Sequence, residues 1–486
     1  MKRRSIVQTG LLVAAAALHS SVASCSGPAR ISDPVAVIAN PEEPSRRQLQ
    51  AMNQLDALPA DPEYLKALRR PIALPGYSLD VRKASFERLY ELDREALLEQ
   101  LELTLPRQEN LEWRAWVCGR VAALDWRAMT TTLIRAWAAP IPAWQTSRSD
   151  RPERPERLAL EQMYGADRLP AVLLREFVES DPAIQANLRM RCWELLVALG
   201  QTSTLRALVI EGSIGPRDPL LRQIRPVVTE LGVMPCTREE LLWARRIGGS
   251  EGADYRTKAA AAIAMLPPER RDGLRIRDLN AVVAAAAVEP ALLTESDEAL
   301  YERLESRLES RQAGKHRASF EGYGPENFTE ALRPQRRQLT WTDLVAMHLA
   351  LDALDSEAMR SHLFDLAERD LLDRTTEYGG MISLDAANRF ELIEFPPRAR
   401  TGDLRYEGPP ELFEALAMGL FHLHLHCQKF DNGRYAGPHL GDFQLADASG
   451  ANCLVLTFID SKTLDADWYR HGRVAVDLGT IQRPER

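Results

Sequence analysis

Disulfide scaffolds, membrane spans and nucleic-acid binders each leave marks that this chain lacks. Six cysteines are scattered over 486 residues, and no two are spaced as Cys-x-x-Cys. That excludes a disulfide framework, which a chain of this length does not need. Cys118, Cys192 and Cys236 read as small buried apolar residues, the usual state of free cysteine. A single bridge between Cys427 and Cys453 is left open. No apolar run approaches the ~20 residues needed to span a bilayer. The alanine-rich stretch 279–288 is cut off by Glu289-Pro290 and reads as a buried helix. Basic excess is missing too: Lys and Arg number 61 against 69 Asp and Glu, for a net charge of −8. Without a basic stripe the chain has no electrostatic footprint for nucleic acid. Its hydrophobic content of 45% excludes global disorder.

The first 25 residues have the pattern of an export signal. Lys2, Arg3 and Arg4 precede an apolar stretch at 10–18, which ends in Val22-Ala23-Ser24-Cys25. Small residues before a cysteine resemble the lipobox of bacterial lipoproteins. The resemblance implies that Cys25 is lipidated, becomes the mature N-terminus and anchors the protein in the cell envelope, on the periplasmic side. The alternative is an ordinary secretory signal cleaved near the same place, giving a secreted protein. Residues 26–60, rich in Pro, Ser, Ala and Glu, are expected to form a flexible tether.

Length suggests about three domains. Over 61–270 the apolar spacing is helical, with Pro and Gly as punctuation. Its segments include 81–89, 111–124, 129–137, 188–199, 205–210, 238–247 and 255–266. Helices with one apolar face bury it by stacking on their neighbours. No strict repeat word recurs, yet the region is loosely similar to HEAT-type helical arrays. Trp113, Trp116, Trp126, Trp137, Trp193 and Trp243 are expected to fill its core. Residues 271–339 read as a helical connector with a long surface loop at 314–337. Within 340–486, two helices at 341–354 and 356–372 are preceded by the candidate N-caps Thr340 and Ser356. The period then changes to two at 381–384, 390–395, 420–426, 453–459 and 474–478, with helical stretches at 410–418 and 441–448. The expected fold is therefore multidomain, an all-α N-terminal region followed by an α+β domain.

Four of the nine histidines fall in this last domain between His422 and His439. His422-Leu423-His424-Leu425-His426 alternates with the period of a strand, so its three imidazoles share one face. His439-Leu440-Gly441-Asp442 follows, and Glu377-Tyr378-Gly379-Gly380 lies upstream. Two neutral imidazoles and an aspartate supply three of zinc's four positions, leaving one for water. Taken singly, Glu377 reads as a strand-edge carboxylate and Asp442 as a helix-start residue. Asp465, Asp467 and Asp477 read as turn or strand-end residues, and His471 as a loop residue beside Gly472.

The order glutamate, His-x-His, then a residue and an aspartate three apart resembles the JAMM motif of the Mov34/MPN/JAB1 metalloprotease fold. The resemblance covers roughly the last quarter of the chain. It implies an MPN/JAB-like domain with zinc as cofactor. His424, His426 and Asp442 would be its ligands and Glu377 the general base. His422 and His424 form an equally legal pair, so His422 stays a candidate ligand. Three departures stand out. His439 occupies the position of the motif's serine, where it would either donate to an oxyanion or close the site as a fourth ligand. Cys427-Gln428 replaces the proline that follows the histidine pair, and the loop from His426 to His439 is longer. The expectation is an exported zinc-dependent hydrolase of peptide or isopeptide bonds. Its partner would be a protein or peptide, presented by the helical region. The alternatives are an inactive MPN-like scaffold and a closed-site metal-binding lipoprotein.

Overall fold

The computed structural model describes residues 30–56, 58, 61–139, 154–211, 218–311, 330–400, 402–403 and 405–485. The export segment 1–25, with Cys25, lies outside the described residues, as does most of the loop expected at 314–337. No helix among the described residues is long and apolar enough to cross a membrane. The chain divides into two compact units, Met1–Thr104 and Leu105–Arg486.

The first unit is helical, and its helices begin earlier than expected. Residues read as part of a tether instead form helices Pro34–Ala39 and Ser45–Leu55. Asp33 accepts from the Ala36 N–H and Pro34 occupies the first turn, a pre-organised start. Val37, Ile38, Ala51, Met52 and Leu55 are buried. Pro34–Ala39, at 6 residues, is too short to show a helical period, and the apolar face of Ser45–Leu55 is narrow among polar residues. Helices Pro62–Ala73, Leu79–Leu92 and Arg94–Thr104 complete the unit. Buried Arg82 donates to the carbonyls of Pro71 (3.0 Å) and Ile72 (3.3 Å), which end the helix before its own.

Helices continue through the second unit to Glu309. An arginine recurs in the role of Arg82, buried at Arg189 and half-buried at Arg256. Arg189, on helix Ala186–Ala198, donates to the carbonyl of Ser180 just past helix Leu169–Glu179. Arg256, on helix Ala253–Met265, donates to the carbonyls of Ile247 (2.7 Å) and Gly249 (2.9 Å) at the end of helix Arg238–Gly248. The last carbonyls of a helix have no partner within it. Here the next helix supplies the donor, so the helices repeat a role without repeating a word. Buried Glu156 bridges Arg114 and Arg154, and buried Asp218 pairs with Arg189. Five of the six tryptophans are buried, while Trp116 is half-buried and stacks on Trp113 at 5.3 Å. Helices Leu279–Val288 and Asp297–Glu309 pack on helix Trp341–Asp355 of the C-terminal part. Thr340 and Ser356 do cap the two helices they precede.

The C-terminal part is α+β, built on one mixed six-stranded sheet. Its strands are β1 Gly379–Leu384, β2 Phe390–Glu394, β3 Phe421–His426, β4 Cys453–Asp460, β5 Thr463–Arg470 and β6 Val474–Gln482, in the order β2-β1-β3-β4-β5-β6. Only β3 and β4 pair in parallel. Parallel neighbours need a crossover, and helix Leu440–Ser449 is part of it. In register, His424 lies opposite Val455, and Val455 opposite Asp467. The three histidines therefore share a face with Cys453, Val455, Asp465, Asp467 and Tyr469. Phe443 of the crossover helix meets Tyr469 on that face, with ring centroids 5.7 Å apart. Helix Glu357–Leu372 covers the other face, where Phe364 meets Phe458 at 6.3 Å. Strand β5 was not expected. Aspartate is depleted in strands, which is why Asp465 and Asp467 read as turn or strand-end residues; both are fully buried within β5. All five cysteines among the described residues are free, so no bridge joins Cys427 to Cys453.

Candidate metal centre

Two features of the chain assemble the site. The first is the alternation of β3, which turns His422, His424 and His426 to one face while Phe421, Leu423 and Leu425 bury the other. The second is the crossover, which returns over the histidine face and starts its helix at His439. Asp442 in the first turn accepts the His439 backbone N–H at 2.6 Å. A carboxylate there is favoured by the helix dipole.

These elements bring three donors together. His424 Nε2 lies 3.2 Å from His426 Nε2 and 3.2 Å from Asp442 Oδ1, and His426 Nε2 lies 3.7 Å from Asp442 Oδ2. An ion bound tetrahedrally at ~2.0–2.1 Å holds its ligand atoms ~3.3 Å apart, so the donor set fits a small divalent cation. Far-side contacts fix which nitrogens face inward. His426 Nδ1–H donates to the Tyr435 carbonyl at 2.9 Å, and His424 Nδ1 lies 3.4 Å from the Tyr469 hydroxyl. A metal-binding histidine is commonly oriented through its other nitrogen in this way.

Glu377 joins from the segment just before β1. Gly379 pairs with His424 at the end of the β1–β3 ladder, and Glu377 precedes it by two residues, beyond the last pair. Its carboxylate lies within 4.8 Å of the donor atoms of both histidines. A Cβ at Gly379 would stand 2.5 Å from the Tyr406 ring, so the glycine admits the tyrosine beside the site. Gln428 Nε2 donates to Glu377 Oε1 at 2.9 Å, and Asn432 Nδ2 donates to Gln428 Oε1 at 2.6 Å. Asn432 also donates to the His426 carbonyl at 2.9 Å. The longer loop after His426 thus folds back to brace both the strand and Glu377.

His439 is exposed and stacks on His426, with ring centroids 4.7 Å apart; its donor lies within 4.8 Å of those of His426 and Asp442. His422 stands apart. Buried beside Tyr406 and His424, it joins none of the donor groups, and neither ring nitrogen has a hydrogen-bond partner among the described residues. Asp465, Asp467 and Asp477 form a separate acidic group on the same face of the sheet. His471 lies in a turn, next to Arg277.

The site is nearly dry: exposure is 2% for His424, 4% for His426 and 4% for Glu377. Burial pushes Glu377 up to about 7, with the charge of Asp442 adding to it. His426 and His422 are both pushed down to about 3, chiefly by burial. Burial also opposes charge on Asp442 and His424, but their mutual attraction prevails. It holds the Asp442 carboxyl well below its usual range and raises His424. Asp442 is thus ionised and His426 neutral, the states in which each binds a metal.

Asp370 was not singled out from the sequence. It is fully buried on helix Glu357–Leu372, beneath the sheet, and burial raises it to about 8. An aspartate inside a helical stripe carries no sign of this in the sequence. The buried His, Glu and Asp groups are able to hold a metal ion. No family model matches the chain, and no curated protein or solved structure matches it either.

Proposed function

We propose that the sheet domain is a zinc-dependent hydrolase of the JAMM type, cleaving peptide or isopeptide bonds. In this proposal the protein is exported and held at the bacterial envelope through a lipidated Cys25, and its helical region binds the partner or substrate. One observation carries the enzymatic proposal: two imidazole nitrogens and an ionised carboxylate 3.2–3.7 Å apart, with a second, easily protonated carboxylate beside them.

His424, His426 and Asp442 would hold the ion. When bound, zinc would polarise the scissile carbonyl and lower the pKa of a water to about 7. Glu377, held near 7, takes a proton from the attacking water and returns it to the leaving amine. Gln428 fixes one oxygen of Glu377, leaving the other for that proton. His439, on the open side of His426, donates to the developing oxyanion.

Purified wild-type protein is expected to carry stoichiometric zinc by elemental analysis; protein that takes up none overturns the proposal. Glu377→Gln should keep its zinc while hydrolysis of a fluorogenic peptide library falls about 10²–10⁴-fold. Undiminished hydrolysis removes Glu377 from the mechanism. The donor of His439, within 4.8 Å of those of His426 and Asp442, favours one other arrangement, a closed site with His439 as fourth ligand. His439→Ser decides it: zinc affinity drops at least about tenfold if His439 coordinates, and barely moves if it only donates.

A further inference from the structure

Strands β1 and β3 separate just where the site needs room, and a single carboxyl group sits in the gap. Leu425 N–H donates to the Tyr378 carbonyl at 3.1 Å, as an antiparallel pair requires. The return bond would come from the Tyr378 N–H. That donor turns instead to Asp370 Oδ1 at 2.6 Å, and the Cys427 N–H reaches Asp370 Oδ2 at 3.2 Å. Tyr378 directly follows Glu377, and Cys427 directly follows His426.

Both hydrogen-bond partners of this buried carboxyl group among the described residues are backbone amides, and neither is a cation. Burying an acidic group away from any cation is costly, and here it keeps the carboxyl protonated up to about pH 8, so this residue type calls for a physical reason. Only a carboxyl group offers two oxygens to two diverging donors; asparagine in its place would set an amide N–H₂ against one backbone N–H. The departure at Cys427 belongs to the same arrangement. Proline has no N–H, so the residue expected there from the JAMM resemblance would leave Asp370 with one partner.

We propose that Asp370 is a positioning residue for the metal centre: its carboxyl group ties the backbone beside Glu377 to the backbone beside His426 and fixes the base relative to the ligands. It works from the opposite face of the sheet and touches neither the ion nor the substrate. This inference rests on the metal-centre proposal above. It extends that proposal by naming a residue outside the motif, together with Cys427, whose backbone N–H the motif's proline would remove.

The test is zinc affinity by competition with a chromophoric chelator, in the full chain, well below each variant's melting temperature. Asp370→Ala should weaken zinc by about tenfold or more, the usual effect of losing a group that orients a ligand. Cys427→Pro should weaken it less, because one of the two ties survives. In the double variant the effects should not multiply, since both changes break the same link. Val345→Ala, a core truncation away from the site, controls for lost stability and should leave affinity unchanged. Should Asp370→Ala fail to fold, Asp370→Asn and Cys427→Pro carry the same comparison. Wild-type affinity in Asp370→Ala, or fully multiplicative losses in the double variant, overturns the inference while the metal centre stands. Wild-type protein that binds no zinc overturns both.

Discussion

Charge is buried in the helical region and in the sheet domain, but to opposite ends. In the helices, the buried arginines are satisfied by carboxylates and by the end carbonyls of neighbouring helices. Glu156 between Arg114 and Arg154 is the clearest case. The guanidinium groups of Arg114, Arg154 and Arg189 each face a buried carboxylate, although Arg154 Nη1 and Arg189 Nε have no hydrogen-bond partner of their own among the described residues. On the histidine face of the sheet, His424, His426, Asp442 and Glu377 converge with no arginine or lysine paired to them among the described residues, so the attraction they offer is directed at one another and at a cation. Burial alone therefore does not mark a functional site. The balance of partners does.

The largest effects should separate the two regions cleanly. Glu156→Ala strands two buried guanidinium groups and should cost about 3–5 kcal/mol of stability in denaturant unfolding, with zinc stoichiometry unchanged. His424→Ala should do the reverse, abolishing zinc uptake while the zinc-free protein loses far less stability. If Glu156→Ala also emptied the site, or His424→Ala destabilised the protein as severely, the contrast between the regions would fail.

A second contrast lies between two buried histidines. Asp442 raises His424. His348, on helix Trp341–Asp355, is hydrogen-bonded to no carboxylate among the described residues, and the pull of Glu289 on it is outweighed by burial. Its Nε2–H donates to the Leu300 carbonyl at 3.0 Å, and Arg307 approaches Nδ1 at 3.3 Å. Burial pushes it down to about 4. The folded state therefore favours the neutral form. The stability this represents is full above the unfolded value of about 6.5 and is lost as pH falls from there toward 4. At ~1.4 kcal/mol per tenfold change in proton affinity, the loss by pH 4 is about 3 kcal/mol. His348→Gln should flatten that part of the stability–pH curve relative to wild type. Parallel curves would show that His348 is not held neutral.

How much of this could be read from residues alone depended on whether each residue kept its usual habits. The His-x-His strand was legible because alternation has only one structural meaning, and Thr340 and Ser356 because capping is local. Strand β5 was hidden because Asp465 and Asp467 are poor strand residues, buried there by tertiary context. Helix Pro34–Ala39 was hidden by its shortness and its leading proline, and Ser45–Leu55 by its many polar residues. Asp370, Gln428 and Asn432 were beyond reach because each acts on a residue distant in sequence or at the end of an irregular loop. The same holds for the arginines that cap neighbouring helices, whose role recurs at no fixed spacing.

The smallest effect tests whether the open charge of the sheet is in fact occupied. A ligand that binds only the folded state stabilises it by RT ln(1 + [L]/Kd), about 2.7 kcal/mol at a hundredfold excess over Kd. Stripping metal with a chelator should lower the melting temperature of wild type, and zinc returned in excess should restore it. Binding also releases protons from the ligand set, His424 above all, so the zinc-induced shift should grow as pH rises from 5 to 7. The Glu156→Ala variant should show the full shift from a lower starting point, because its damage lies elsewhere. His424→Ala should show none. A chelator shift that survives in His424→Ala would move the stabilising ion to another place, of which the acidic group of Asp465, Asp467 and Asp477 is the nearest alternative on the same face.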